Sequence, residues 1–173
     1  MAILYRQMQR DPGLNMNGTD LIPKILAAFR GRSVALWGTQ DPFLEQAVLR
    51  SESEFAVRVT SWADRFRDFN YYLHLAQEKA PELIVLGMGM PKQEQLAKAQ
   101  RAQAAGTPLI VCGGAILDFL GGKVARAPKR MRRIGLEWLY RFALEPRRLF
   151  RRYLMGNPAF LLKLAAWRRD GAP

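Results

Sequence analysis

The sequence has one cysteine, Cys112, and one histidine, His74, among 173 residues. A single cysteine excludes an internal disulfide, and its place in an apolar run predicts a buried thiol. With one cysteine and one histidine, a His/Cys metal cluster is excluded. Long apolar runs are missing as well. The best candidate, residues 109–120, is broken by glycines and Asp118, well short of the roughly 20 residues a membrane-spanning helix needs. No apolar leader core follows Met1. What is present is a globular composition, 49% hydrophobic and 24% charged, on a chain long enough for one proper core.

Acidic residues run short in one region. The formal net charge is +12, from 27 Lys+Arg and 15 Asp+Glu. Residues 1–122 hold 13 of those bases and 12 of those acids, which leaves 14 bases against 3 acids in residues 123–173. A near-neutral body therefore precedes a strongly basic tail. Such a tail calls for an anionic partner: nucleic acid, an anionic membrane surface or a phosphorylated ligand.

The body alternates strand and helix. Residues 19–29 form a helix with Thr19 or Asp20 as cap, Leu21, Ile22, Ile25, Leu26 and Phe29 on one face, and Gly31 as its stop. Strands are predicted at 33–37, 55–60, 82–86 and 108–112, and helices at 42–50, 64–79 and 92–105. Near-continuous apolar strands between helices imply a Rossmann-like α/β fold, a parallel sheet covered by helices on both faces. Such sheets bind ligands at the carboxyl ends of their strands. The stretch at 87–94, GMGMPKQE, lies at one such end, Gly113-Gly114 at another, and Gly38 with Asp41 at a third. Gly87 and Gly89 would let the backbone approach a ligand, and Pro91 suits the first turn of the next helix. A strand that ends in glycines and opens into a helix can hold a phosphate on its N–H groups; a plain tight turn is the simpler reading of the same residues.

The tail, 123–173, reads as a basic helical appendage. Helices are predicted at 135–144 and 146–155, with a further apolar piece after Pro158. In the second, Leu149, Phe150, Tyr153 and Leu154 share one face, and Arg147, Arg148, Arg151 and Arg152 share the other. Three readings fit: a helical subdomain with a solvated arginine face, nucleic-acid binding, or attachment to an anionic membrane surface. No recognised nucleic-acid motif accompanies the charge, and the aromatic residues Trp138, Tyr140 and Trp167 favour the membrane interface.

Together, GMGMPKQE at 87–94, GGAILDFLGGKVARAPKRM at 113–131, GLEWLYRFALEPRRLFRRYL at 135–154 and NGTDLIP at 17–23 resemble the TagA/WecG/CpsF glycosyltransferases, glycosyltransferase family 26. The resemblance implies an inverting enzyme that needs no metal or other cofactor. It implies transfer of a sugar from a UDP-sugar (N-acetylmannosamine, its uronic acid or glucose) to a polyprenyl-diphosphate-linked acceptor. The setting it implies is bacterial cell-surface polysaccharide synthesis, peripheral on the cytoplasmic face of the inner membrane. Oligomeric state stays open, a homo-oligomer included, and nucleic acid is not an expected partner. The resemblance places Gly87, Gly89, Gln93, Asp118, Lys123 and Arg126 around the nucleotide-sugar, and Arg141, Arg148 and Arg151 at the diphosphate of the leaving group. Plainer alternatives are a solvent-facing Gln93 and an Asp118 paired with Lys123 or Arg126.

The resemblance also implies a longer N-terminal region that bears an aspartate taken as catalytic base. No residue of this chain matches that aspartate, so the catalytic base is left unassigned. A truncated enzyme, a degenerate member that binds nucleotide or lipid without catalysis, and a site completed by a partner chain are the three readings of that difference.

Overall fold

The structure, a computed structural model, describes residues 18–103, 108–125, 128, 131 and 137–144. The chain divides into two compact units, Met1–Ala125 and Arg126–Pro173. In the first unit, helices α1 (Gly18–Ala28), α2 (Phe43–Phe55), α3 (Phe69–Lys79), α4 (Lys92–Gln103) and α5 (Ile116–Leu120) alternate with strands β1 (Ser33–Gly38), β2 (Arg58–Ala63), β3 (Leu83–Gly87) and β4 (Leu109–Cys112). In the second unit, α6 spans Glu137–Leu144.

The four strands form one parallel sheet in the order β2-β1-β3-β4. Successive side chains of a strand point to opposite faces, and the two central strands bury both. Val34, Leu36, Leu83 and Val85 pack with Ile22 and Leu26 of α1, Leu44 and Ala47 of α2, and Leu117 of α5. Ala35, Trp37, Ile84 and Leu86 pack on the other face with Tyr72 and Leu73 of α3 and Leu96 of α4. β1 and β3 have no exposed position, which is why both read as unbroken apolar runs. Trp37 is fully buried. Its ring lies 5.4 Å from that of Tyr72, and its indole N–H donates to Ser61 Oγ at 3.3 Å. An aromatic pair of this kind adds about 0.5–1.5 kcal/mol beyond the area it buries.

Several boundaries differ from the sequence reading. α2 runs on to Phe55 and stops because Ala56 takes a left-handed conformation, φ 53°, and donates its N–H to Glu52 O. The second strand therefore starts at Arg58 rather than Phe55, and as an edge strand it alternates exposed and buried positions. α3 starts at Phe69 because the Asp68 carboxylate accepts the Tyr71 N–H at 2.7 Å, a side-chain cap. Asp64, where the sequence reading begins this helix, instead accepts the Phe66 N–H at 2.8 Å and pairs with Arg67 at 3.2 Å. Thr19 and Asp20 lie inside the first turn of α1. Cys112 is exposed rather than buried, since β4 is the other edge of the sheet. In the tail, α6 falls within the helix predicted at 135–144; the helix predicted at 146–155 and the piece after Pro158 lie outside the described residues.

Candidate functional site

The strand order makes β1 and β3 neighbours, and the helices that follow them leave to opposite faces: α2 packs on one, α4 on the other. A parallel sheet with this arrangement opens a crevice at the carboxyl ends of the two strands, and ligands bind there. Gly38 and Gly87, the last residues of β1 and β3, are register partners. They sit so close that a Cβ on Gly38 would lie 2.4 Å from the Gly87 carbonyl carbon. Gly87 in turn faces α5, where a Cβ would meet Leu117 Cγ at 2.7 Å. Gly87 thus lets strand and helix close up. Gly89 differs: its φ is +81° and nothing comes within 4 Å of its would-be Cβ, so it turns the chain into open space.

Three loops meet at this edge and are tied together. The Lys92 ammonium, at the start of α4, donates to Arg65 O and Arg67 O at 2.7 Å each, and lies 5.5 Å from the Tyr72 ring centre. The Tyr72 hydroxyl donates to Asp64 O at 2.5 Å, and the Arg65 N–H donates to Thr39 O at 3.1 Å. Burial first, then the charge of Asp64, pushes the Tyr72 hydroxyl up to about 12. The loops after β1, β2 and β3 are thereby fixed to one another.

Gln93 is buried, 4% exposed. Its Oε1 accepts the Gly114 N–H at 3.1 Å and its Nε2 donates to Glu94 Oε1 at 2.8 Å. The Gln93 carbonyl lies 3.8 Å from Cys112 Sγ. This residue joins the glycine turn after β3 to the one after β4, so the solvent-facing alternative does not hold. Opposite, Asp118 on α5 accepts from the Thr39 hydroxyl at 2.5 Å and stands 3.4 Å from Lys123 Nζ, both through Oδ1. Lys123 also lies over the Phe43 ring at 5.6 Å, at the start of α2. Thr39 is fully buried and has φ 49°.

Of the expected site residues, Gly87, Gly89 and Gln93 lie on or just after β3. Asp118 and Lys123 sit together in the same unit, as the pairing alternative anticipates. Arg126, Arg148 and Arg151 lie outside the described residues, and so does the side chain of Arg141, whose backbone lies in α6. Sequence reasoning did not single out Thr39, Lys92 or Tyr72. Thr39 directly follows a strand-end glycine and Lys92 stands inside GMGMPKQE, so position alone could have flagged both; Tyr72 has no such signal.

A four-stranded parallel sheet with helices on both faces and glycines at the carboxyl ends of its central strands defines a Rossmann-like α/β protein. Comparison with known proteins gives the family. The model of the glycosyl transferase WecG/TagA/CpsF family matches residues 1–172, and the chain belongs to that family. It is similar to an N-acetylglucosaminyldiphosphoundecaprenol N-acetyl-beta-D-mannosaminyltransferase of Staphylococcus aureus strain NCTC 8325, 36% identical over 89 residues. That match covers 51% of this chain and 34% of the relative. The protein of the same name from strain MRSA252 is 35% identical over 89 residues, with the same coverage. The chain thus spans about a third of the length of these curated relatives. Among the described residues, no helix is long and apolar enough to cross a membrane.

Proposed function

We propose that this chain carries the nucleotide-sugar site of a glycosyltransferase that moves a sugar from UDP to a polyprenyl-diphosphate-linked acceptor in bacterial cell-surface polysaccharide synthesis. The observation that carries the reading is what meets at the carboxyl ends of β1 and β3: buried Gln93 tying the turns after β3 and β4 on one side, and the Thr39–Asp118–Lys123 cluster on the other. The names of the relatives point to an N-acetylmannosamine donor and an N-acetylglucosamine-diphospholipid acceptor. The uronic acid of that donor sugar, and glucose, are the other donors the family reading allows.

The transfer is an inverting displacement. The acceptor hydroxyl oxygen bonds to the anomeric carbon as the bond from that carbon to the UDP oxygen breaks on the opposite side. A base takes the hydroxyl proton. Charge grows on the departing diphosphate, and arginine forks can neutralise it in place of a metal. Arg141, Arg148 and Arg151 take that role, with Lys123 and Arg126 beside the nucleotide-sugar. The basic stretch 123–173 holds the protein on the anionic cytoplasmic surface of the inner membrane, where a lipid-linked acceptor is reached.

Calorimetric titration of UDP into the chain, with EDTA present, tests the reading. Binding that weakens about tenfold in Arg148→Ala, the loss of one charge-assisted contact, supports it. A chain that binds no UDP does not carry the site.

A further inference from the structure

The two edges of the sheet are not alike. β2, at one edge, carries guards that keep an edge strand from pairing with another chain. Arg58 is charged and exposed, and the register against β1 slips past Thr60, a bulge that bends the strand. β4, at the other edge, has neither guard. Its residues, Leu109, Ile110, Val111 and Cys112, include no charge, proline or glycine, and its shortness is the one protection it keeps. That is the composition of a central parallel strand, which is buried on both faces.

β4 also leaves part of its backbone unused. The Leu109 N–H donates to Glu82 O at 3.0 Å and the Gly113 N–H donates to Leu86 O at 2.8 Å. Alternate residues of a strand bond to the same neighbour, so the Ile110 and Cys112 N–H groups face away from β3. Beside them lies a groove of about 660 Å³ between β4 and α4. Leu109 and Ile110 line it from the strand, and Leu109 is 46% exposed. Lys98 and Arg101 line it from the helix. Both are exposed, and among the described residues neither pairs with a carboxylate.

We infer that the free edge of β4 is a docking site for an extended, acidic polypeptide segment, which pairs with Ile110 and Cys112 as a fifth strand and sets carboxylates against Lys98 and Arg101. Main-chain hydrogen bonds give strand addition its affinity, and side-chain pockets give it specificity. Leu109 and Ile110 call for apolar side chains in the segment, and the two bases choose its charge. A second copy of this chain fits the edge less well. Docked edge to edge about a two-fold axis, it would bring Lys98 and Arg101 against their own counterparts, whereas an acidic segment neutralises them.

The test is fluorescence anisotropy on the full chain with labelled heptapeptides. One alternates valine and threonine between terminal glutamates. A second has lysines in place of the glutamates, and a third keeps the glutamates but carries a central proline. The glutamate peptide is expected to bind about fivefold tighter than the lysine peptide, the combined effect of two exposed ion pairs. Lys98→Glu together with Arg101→Glu is expected to reverse that order; both positions are exposed on α4, so the fold is kept. The proline peptide, which lacks an N–H for the ladder, is expected not to bind. Amide exchange at Ile110 and Cys112 should slow with bound peptide, while Val111, whose N–H faces β3, stays as it was. Sedimentation of the chain alone reports on a second copy: a dimer that Leu109→Lys dissolves would overturn the proposal. A proline peptide that binds as well as the first would also overturn it, since that marks plain attraction to a basic chain. So would a glutamate preference that survives the double charge reversal, or no binding at millimolar peptide.

Discussion

Gln93, in the first turn of α4, accepts the backbone N–H of Gly114 at 3.1 Å and so bolts the glycine turn after β3 to the one after β4. The bond is long-range in sequence and made by a side chain that is almost fully buried. Its consequence is that the Gly114 N–H serves the fold of the two turns rather than a ligand.

Gln93→Ala should therefore cost stability before it costs anything else. It strands a partly buried N–H donor and removes a buried amide, a loss of about 1–3 kcal/mol. Chemical denaturation reads the loss, and hydrogen exchange at the Gly114 amide should quicken by a larger factor than at amides of β1. Unchanged exchange at Gly114 would show that the bond does not hold the turn.

Gly38→Ala should be among the most damaging single changes in the sheet. Its φ of +146° suits glycine, and the added Cβ would meet backbone, 2.4 Å from the Gly87 carbonyl carbon and 2.5 Å from its oxygen. Backbone cannot swing away as a side-chain tip can. Strain and overpacking together amount to about 2–5 kcal/mol. A thermal melt compared with Gly31→Ala, where the positive φ is shared but no atom lies within 4 Å, separates the clash from the dihedral strain.

Tyr72 gives the protein a pH dependence on the alkaline side. Its folded-state hydroxyl is raised from the ordinary 10 to about 12, mainly by burial. A raised folded value means the folded state holds this proton more tightly, so the contribution is complete below pH 10 and is lost as pH rises through 12. Tyr72→Phe removes both the group and its hydrogen bond to Asp64 O. The stability advantage of wild type over Tyr72→Phe should be about 1 kcal/mol at neutral pH and shrink steadily above pH 10. An advantage that stays flat to pH 12 would contradict the assignment.

How far the sequence revealed this structure depends on the kind of signal each element leaves. β1 and β3 were legible because a central parallel strand buries both faces, and only apolar residues fit there. The end of α2 was not, because the residue in its left-handed cap is Ala56, where sequence reading looks for glycine; the end of α3 at Lys79 was legible, with Pro81 two residues on, although its cap is Ala80. With α2 cut short at Arg50, Phe55 and Val57 looked like the start of a strand. The glycines at 87 and 89 were visible, but not that Gly87 is there for Leu117. The partnership of Thr39 with Asp118, 79 residues apart, leaves no trace in local pattern, since it exists only once β1 and α5 are brought together.

The proposed site puts UDP at the carboxyl ends of β1 and β3. Amide chemical-shift mapping of the nitrogen-15-labelled chain during a UDP titration in EDTA tests it most directly. The largest shifts are expected at Thr39, Gly89 and Gly114, with Arg32 and Glu82 at the opposite end of the sheet unmoved. Shifts confined to the groove lined by Asn70, His74 and Gln103, or none at millimolar UDP, would contradict it.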